Sequence, residues 1–169
     1  VSVVPSGALL LQLKAAQQSE RKPVMLCGHM DVVPAEGVWK VDPFSGFDDG
    51  NAIWGRGTLD CKGGMIAIFE AVESLLASGY VPKRDLYFAF GADEETGGAQ
   101  GAGKIAEYFE KRNIQFDFIL NEGGSLTSSH MGNKQFPAAI VAVAEKAGVN
   151  IRLTAKAEGG HAAVPGKMT

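Results

Sequence analysis

The strongest constraint on the fold is an alternation of short apolar runs with longer segments of helical periodicity. Residues 23–29, 85–91 and 116–120 form the apolar runs, and each run ends at a glycine or a polar turn. Residues 62–78 and 101–112 separate these runs and have the pattern of helices. This β-α-β-α-β order favours a mostly parallel sheet with right-handed crossovers. We therefore predict an α/β fold.

The segment 62–78 is the clearest predicted helix, because its apolar residues recur at helical spacing and Gly79 supplies a C-terminal stop. The stripe predicted to face inward comprises Met65, Phe69, Val72 and Leu76. In the second helix, Ile105 and Phe109 are predicted to face inward. Upstream, residues 8–14 are predicted to form a strand that a polar turn joins to the strand at 23–29.

The character of the chain changes after Pro137, where two strand-like runs follow each other without a helix. These runs are residues 138–143 and 148–157, and the second alternates apolar and polar side chains. We expect residues 1–143 to belong to one domain and residues 144–169 to begin a second.

Composition and charge exclude several classes of protein. Apolar residues make up 46% of the chain and charged residues 21%, as in ordinary globular proteins. A net charge of -3 gives no electrostatic footprint for nucleic acid or for an anionic membrane. No apolar run approaches the roughly 20 residues that span a bilayer. We predict neither a nucleic-acid partner nor a membrane segment in this chain.

The two cysteines, Cys27 and Cys61, are too few for a disulfide scaffold, and their spacing matches no structural zinc site. We predict free, mostly buried thiols, which leave the cellular compartment open. The chain starts at Val1 without an initiator methionine or a signal sequence, so we expect a cut end, with any targeting segment upstream.

Metal-competent side chains stand at the ends of the predicted strands and at the start of the first helix. They are His29, Asp31, Asp60, Glu94, Glu95 and Glu122. Ligand sites of open α/β sheets lie outside the carboxyl ends of the strands, so these residues are expected to converge on one crevice.

Several carboxylates in one crevice repel each other, by about 4 kcal/mol for a close pair at an intermediate dielectric. Protonation or a bound cation must offset that repulsion. The neighbouring His29 favours zinc, manganese or cobalt over calcium or magnesium. A single histidine among so many carboxylates suggests two metals bridged by one carboxylate.

Taken singly, each of these patterns has an ordinary structural explanation. Asp60 could cap the helix that follows it. The acidic run 93–95 could be a solvated turn, and the Asn-Glu-Gly of 121–123 is a common turn sequence. Their order and their shared placement at strand ends are what indicate a functional site.

Four ordered motifs resemble the co-catalytic zinc peptidases and deacylases of the M-20 group. The motifs are Gly-His-Met-Asp-Val-Val-Pro at 28–34, Trp-Gly-Arg-Gly-Thr-Leu-Asp-Cys-Lys-Gly-Gly at 54–64, Asp-Glu-Glu-Thr-Gly-Gly at 93–98 and Asn-Glu-Gly at 121–123. The group contains carboxypeptidase S, aminoacylase, acetylornithine deacetylase and succinyl-diaminopimelate desuccinylase. The resemblance covers essentially the whole chain and is greatest to the carboxypeptidase S branch. It implies a mixed, mostly parallel sheet flanked by helices, followed by the start of a smaller α+β lid or dimerisation domain.

The resemblance also implies a site that binds two zinc ions, for which cobalt or manganese could substitute. His29 and Glu122 would bind the first ion, Glu95 would bind the second, and Asp60 would bridge the two. Glu94 would be the general base that takes a proton from the attacking water.

Three further features follow from the same resemblance. Asp31 would hold the ring of His29 and fix its tautomer. The peptide bond Asp60-Cys61 would be cis. His161, in the Gly-Gly-His motif of 159–165, would reach the active site of a partner subunit and steady the oxyanion, which implies a possible homodimer through the lid domain.

The chain also departs from the pattern of the group. Many relatives carry Asp-Asp-Lys where this chain has Cys61 between Asp60 and Lys62, and many carry Asp-Glu-Gly where it has Asn121. The final zinc-binding histidine of the group and most of the lid are expected beyond Thr169.

The function implied is di-zinc hydrolysis of an amide or peptide bond in a dipeptide, small peptide or N-acyl amino acid. Two other classes stay open. One is a cysteine hydrolase that uses Cys61 with His29, since a thiolate is favoured just before a helix. The other is a non-catalytic or truncated, inactive relative that binds metal or a metabolite. Chelator sensitivity and the activity of C61S would separate the cysteine hydrolase from the zinc enzyme.

Overall fold

The structure, a computed structural model, describes residues 2–3, 7–127, 138–144 and 151–156. His161, considered above, lies outside these ranges.

Nine strands and two α-helices are described. The strands are β1 (Ser2–Val3), β2 (Leu9–Leu13), β3 (Val24–His29), β4 (Phe47–Asp48), β5 (Ile53–Trp54), β6 (Leu86–Gly91), β7 (Phe118–Leu120), β8 (Ser125–Thr127) and β9 (Ala138–Ile140). The helices are α1 (Gly63–Ala77) and α2 (Ala102–Glu110), and short helical turns cover Thr58–Lys62 and Glu94–Thr96. Within the described ranges no helix is both long and apolar enough to cross a bilayer.

The main sheet has five strands in the order β1-β2-β6-β3-β7, so β6 lies at its centre. Strand β3 is parallel to both β6 and β7, whereas β2 runs antiparallel to β6 and β1 antiparallel to β2. The sequence predicted β2 and β3 as consecutive strands joined by a turn, but they are not neighbours. The almost entirely apolar β6, five of whose six residues are buried, lies between them, because a strand buried on both faces belongs inside a sheet. The mixed sheet flanked by helices confirms the predicted fold class.

One face of the sheet packs against α2 and holds the main core. The buried members of this core are Ala8, Leu10, Tyr87, Ala89, Ile105 and Phe109. Phe109 stands edge-on to Tyr87 at 5.0 Å and to Phe116 at 4.7 Å between ring centroids, a favoured aromatic geometry. The inward orientation predicted for Ile105 and Phe109 is confirmed.

The other face packs against α1, which approaches Phe90 of β6 through Phe69, at 5.1 Å between ring centroids. None of the residues of α1 is buried. Phe69 and Leu76 of the predicted inward stripe keep 36% and 42% of their surface exposed. The helix exists as predicted, but the described part of the chain covers its apolar stripe incompletely.

Two small antiparallel pairs complete the described structure, β4 with β5 and β8 with β9. The chain divides into two compact units, 1–123 and 124–169. Strands β8 and β9 both belong to the second unit. The predicted domain boundary between 143 and 144 stays a prediction. Residues 151–156, part of a predicted strand, have no regular secondary structure.

Candidate metal centre

The candidate ligands lie beyond the carboxyl ends of the parallel strands. His29 is the last residue of β3, Glu94 and Glu95 follow β6, and Glu122 follows β7. Asp60 reaches the same place from the helical turn that precedes α1. The convergence expected from the sequence is present in the structure.

A glycine at the entrance of the Asp60 turn allows this approach. Gly57 has φ of +84°, and a Cβ at this position would lie 2.5 Å from Cγ1 of Val32. A side chain there would force either the backbone or Val32 to move. The turn that presents Asp60 therefore requires glycine at position 57.

His29 is the centre of the cluster and has only 1% of its surface exposed. Its Nε2 atom lies 2.9 Å from Oδ1 of Asp60, 3.4 Å from Oε2 of Glu122 and 3.9 Å from Oε2 of Glu94. Ligand atoms of His29, Asp60 and Glu95 all lie within 4.8 Å of one another. One ring nitrogen thus faces a group of carboxylates.

The contact made by the other ring nitrogen, Nδ1, determines the tautomer of His29. Its Nδ1 atom lies 2.9 Å from the main-chain carbonyl oxygen of Asp31. A carbonyl oxygen can only accept, so Nδ1 carries the proton and donates it. Nε2 of the neutral ring then directs a lone pair at the oxygen of Asp60. Two acceptors at 2.9 Å are compatible only when a proton or a metal ion lies between them.

The pKa values of this cluster reflect the crowding of charge. Burial would lower the pKa of His29, but the hydrogen bond to Asp60 and the charges of Glu122 and Glu94 outweigh it and raise the pKa. Burial raises the pKa of Glu94, the charge of His29 opposes this, and the carboxylates of Glu122 and Glu95 add to the increase. The cluster therefore has unbalanced negative charge that a cation would relieve.

Asp31 organises the loop after β6. One oxygen of its carboxylate accepts the N–H of Glu94 at 3.1 Å, and the other accepts the N–H of Glu95 at 3.0 Å. These bonds outweigh the effect of burial and lower the pKa of Asp31. The same carboxylate is 3.5 Å from Nδ1 of His29, farther than the main-chain carbonyl of Asp31. The ring contact expected of Asp31 is thus made mainly by its backbone.

Two supporting contacts were not foreseen from the sequence. Asp93 accepts the N–H groups of Gln100 at 2.8 Å and Gly101 at 2.7 Å, and so ties the acidic loop to the start of α2. The main-chain N–H of Val33 donates to Oε1 of Glu95 at 3.3 Å. Neither contact leaves a signal in the sequence, because one donor is a backbone group and Asp93 lies eight residues before Gly101.

Cys61 is buried beside the cluster, and its peptide bond to Asp60 is cis, as expected. Its thiol contacts the main chain of His29, whereas the ring nitrogens face Asp31 and Asp60. Burial raises the pKa of the thiol to about 12. A nucleophilic cysteine needs a lowered pKa and an adjacent base, so this geometry disfavours the cysteine hydrolase. Cys27, the second predicted free thiol, is half-buried on β3.

The donor set fits a zinc-like metal. It combines one neutral imidazole nitrogen with carboxylate oxygens, and zinc accepts both kinds of ligand. The lone pair of His29 Nε2 and the carboxylate of Asp60 converge on the same position. Two overlapping sets of potential ligands, His29 with Asp60 and Glu95 and His29 with Cys61 and Glu122, lie within coordination range in the described part of the chain.

The chain matches a family of known proteins over most of its length. The profile of the family described as Peptidase family M20/M25/M40 matches residues 25–163. Over 169 aligned residues the chain is 42% identical to the "Probable carboxypeptidase S-like 2" of Dictyostelium discoideum, covering 98% of this chain and 32% of that protein. It is 40% identical to an N-fatty-acyl-amino acid synthase/hydrolase of Homo sapiens, covering 88% of this chain and 30% of that protein.

A solved structure shares the fold. The crystal structure of human carnosine dipeptidase 1 matches with a TM-score of 0.61 and 25% identity, over 75% of this chain and 27% of that one. The chain thus spans about a third of the length of the curated relatives that it matches.

Proposed function

Because this chain belongs to Peptidase family M20/M25/M40, we propose that the whole protein is a metal-dependent hydrolase of an amide or peptide bond. Its matched relatives are named as a carboxypeptidase, an N-fatty-acyl-amino acid synthase/hydrolase and a dipeptidase. These names share one reaction class, in which water or its equivalent adds to a carbonyl carbon bound to nitrogen. The substrate proposed here is an N-acyl amino acid or a small peptide.

The observation that carries the proposal is the environment of His29. Its Nδ1–H is engaged by the carbonyl of Asp31, so its Nε2 lone pair is directed into a group of carboxylates. This arrangement suits a metal ligand and is costly in the absence of a cation.

We propose two ions in this centre. His29 and Glu122 would hold the first, Glu95 would hold the second, and Asp60 would bridge them. Zinc, when bound, would polarise the substrate carbonyl and lower the pKa of water toward about 7. Asp31 would support both His29 and the acidic loop, since it contacts the ring of His29 and the main-chain N–H groups of Glu94 and Glu95.

Glu94 is the proposed general base. Its carboxylate oxygen lies 3.9 Å from Nε2 of His29, at the edge of the ligand group, and its main-chain N–H is held by Asp31. In this position it can take a proton from the attacking water and return it to the leaving amine. Its pKa, raised by burial and by neighbouring carboxylates, is suited to a group that must both accept and release a proton.

Residues 144–169 are proposed to begin a lid or dimerisation domain, within which His161 would contact the substrate oxyanion of a partner subunit. This part of the proposal rests on the Gly-Gly-His motif of 159–165.

The experiment compares two adjacent carboxylates in the whole protein. E94Q is expected to keep its metal and to lose turnover by about 10²- to 10⁴-fold, because a base is removed. E95Q is expected to lose metal as well. Metal content is measured by elemental analysis, and turnover is measured with a dipeptide and an N-acyl amino acid, before and after chelation and zinc addition.

E107Q on the exposed face of α2 is the matched control and should leave both measurements unchanged. Unaltered activity of E94Q would disprove its role as base. Activity that survives complete removal of metal would overturn the metal-dependent mechanism itself.

A further inference from the structure

The thiol of Cys61 holds the backbone of the buried histidine at both of its polar groups. The N–H of His29 donates to Sγ of Cys61 at 3.1 Å, and the thiol donates to the carbonyl oxygen of His29 at 3.4 Å. Cys61 has only 5% of its surface exposed. The two residues are 32 positions apart, so this contact joins the end of β3 to the turn before α1.

The register of the sheet explains why the main-chain N–H and carbonyl groups of His29 need a side-chain partner. The N–H of Val24 donates to Asp85 and that of Met30 to Gly91, so the peptide groups of even-numbered residues of β3 face β6. Those of odd-numbered residues, His29 included, face the opposite side. Strand β7 on that side pairs only as far as Leu26. The sulfur of Cys61 therefore stands where a longer β7 would have supplied hydrogen bonds.

The same thiol lies beside a second proposed ligand. Ligand atoms of His29, Cys61 and Glu122 lie within 4.8 Å of one another. Gly28 makes room for the sulfur, since a Cβ at that position would lie 3.2 Å from Sγ. The thiol is thus enclosed between the two residues assigned to the first metal ion.

We propose that Cys61 is a positioning residue of the metal centre, whose thiol holds the main chain of His29 in place for the first ion. This inference rests on the proposed function. Cys61 acts through its neighbours as a neutral hydrogen-bonding group and is not itself a ligand or a nucleophile.

The experiment separates hydrogen bonding from volume by two substitutions in the whole protein. C61S keeps a donor and an acceptor in a smaller side chain, whereas C61V fills the position with apolar atoms and loses both hydrogen bonds. C61V is expected to bind the first zinc ion at least 10-fold more weakly than the wild type, as for other residues that orient metal ligands. C61S is expected to bind more tightly than C61V. Affinity is measured by competition with a chromophoric chelator, and the absorption spectrum of the cobalt-loaded forms reports the ligand geometry.

C27A is the matched control, since it removes the other thiol of the chain, which is half-buried and lies two residues before His29 on the same strand. It should bind zinc as the wild type does and leave the cobalt spectrum unaltered. Equal affinities of C61V and C61S would overturn the positioning role, even if either variant is less stable. A wild type that binds no metal would refute the proposed function instead, and this inference with it.

Discussion

The two helices of this chain lie on opposite faces of the same sheet and differ sharply in what they bury. Helix α2 has nine residues, of which Ile105 and Phe109 are buried. Helix α1 has fifteen residues and is richer in apolar side chains, yet none of them is buried. Alternate residues of β6 point to opposite faces of the sheet. Tyr87 contacts α2 on one face, and Phe90 contacts α1 on the other.

The difference shows that burial is decided by the surroundings of a helix more than by its own composition. Phe109 is enclosed because Tyr87, Phe116 and Tyr108 all contact its ring. Among the described residues, Phe69 of α1 has one such aromatic neighbour, Phe90. The core on the α2 face is therefore expected to supply more of the stability of this chain than the α1 face.

The largest effect is expected for F109A, which removes the central ring of the α2 face. The substitution should lower the free energy of unfolding by about 3–5 kcal/mol, the usual cost of removing a buried aromatic side chain. Urea unfolding of this chain, followed by circular dichroism, measures it. A loss below 1 kcal/mol would show that the α2 face is not the main core.

A smaller effect is expected for F69A on the α1 face. The ring keeps 36% of its surface exposed and loses its contact with Phe90 on substitution, so the cost should be about 1–2 kcal/mol. The same unfolding experiment provides the comparison. If F69A proved as damaging as F109A, the contrast between the two faces would have to be abandoned.

The smallest effect is expected for I66S, also on α1, where 59% of the side chain is exposed. Its stability should stay within about 0.5 kcal/mol of the wild type, as for most surface substitutions. The informative control is the same variant in the whole protein. A cost above 2 kcal/mol there, but not in this chain, would mean that further polypeptide covers α1.

Much of the fold could be predicted from periodicity, but the order of the strands could not. Helix α1 and strands β3 and β6 lie within one residue of their predicted bounds, because each pattern is local. The position of β6 between β2 and β3 depends on pairing between residues more than fifty positions apart. Similarly, periodicity did not indicate that β8 pairs with β9.

The candidate site shows the same limit at the level of atoms. The placement of histidine and acidic residues at strand ends was sufficient to predict that they converge. It could not assign the proton of His29 to Nδ1, which depends on the main-chain carbonyl of Asp31. Nor could it show that the thiol of Cys61 binds the main chain of His29, because that contact depends on β7 ending three residues short of His29 in the register.

The sequence by itself determined the α/β class, the positions of the helices and the set of residues that meet at the carboxyl ends of the parallel strands. These features follow from local periodicity and from the rule that parallel strands end at a common edge. The tertiary structure alone decided the strand order, the incomplete cover of α1, the tautomer of His29 and the environment of the Cys61 thiol. Each of these depends on which distant backbone or side-chain group supplies the next contact, and no local pattern in the sequence specifies that group.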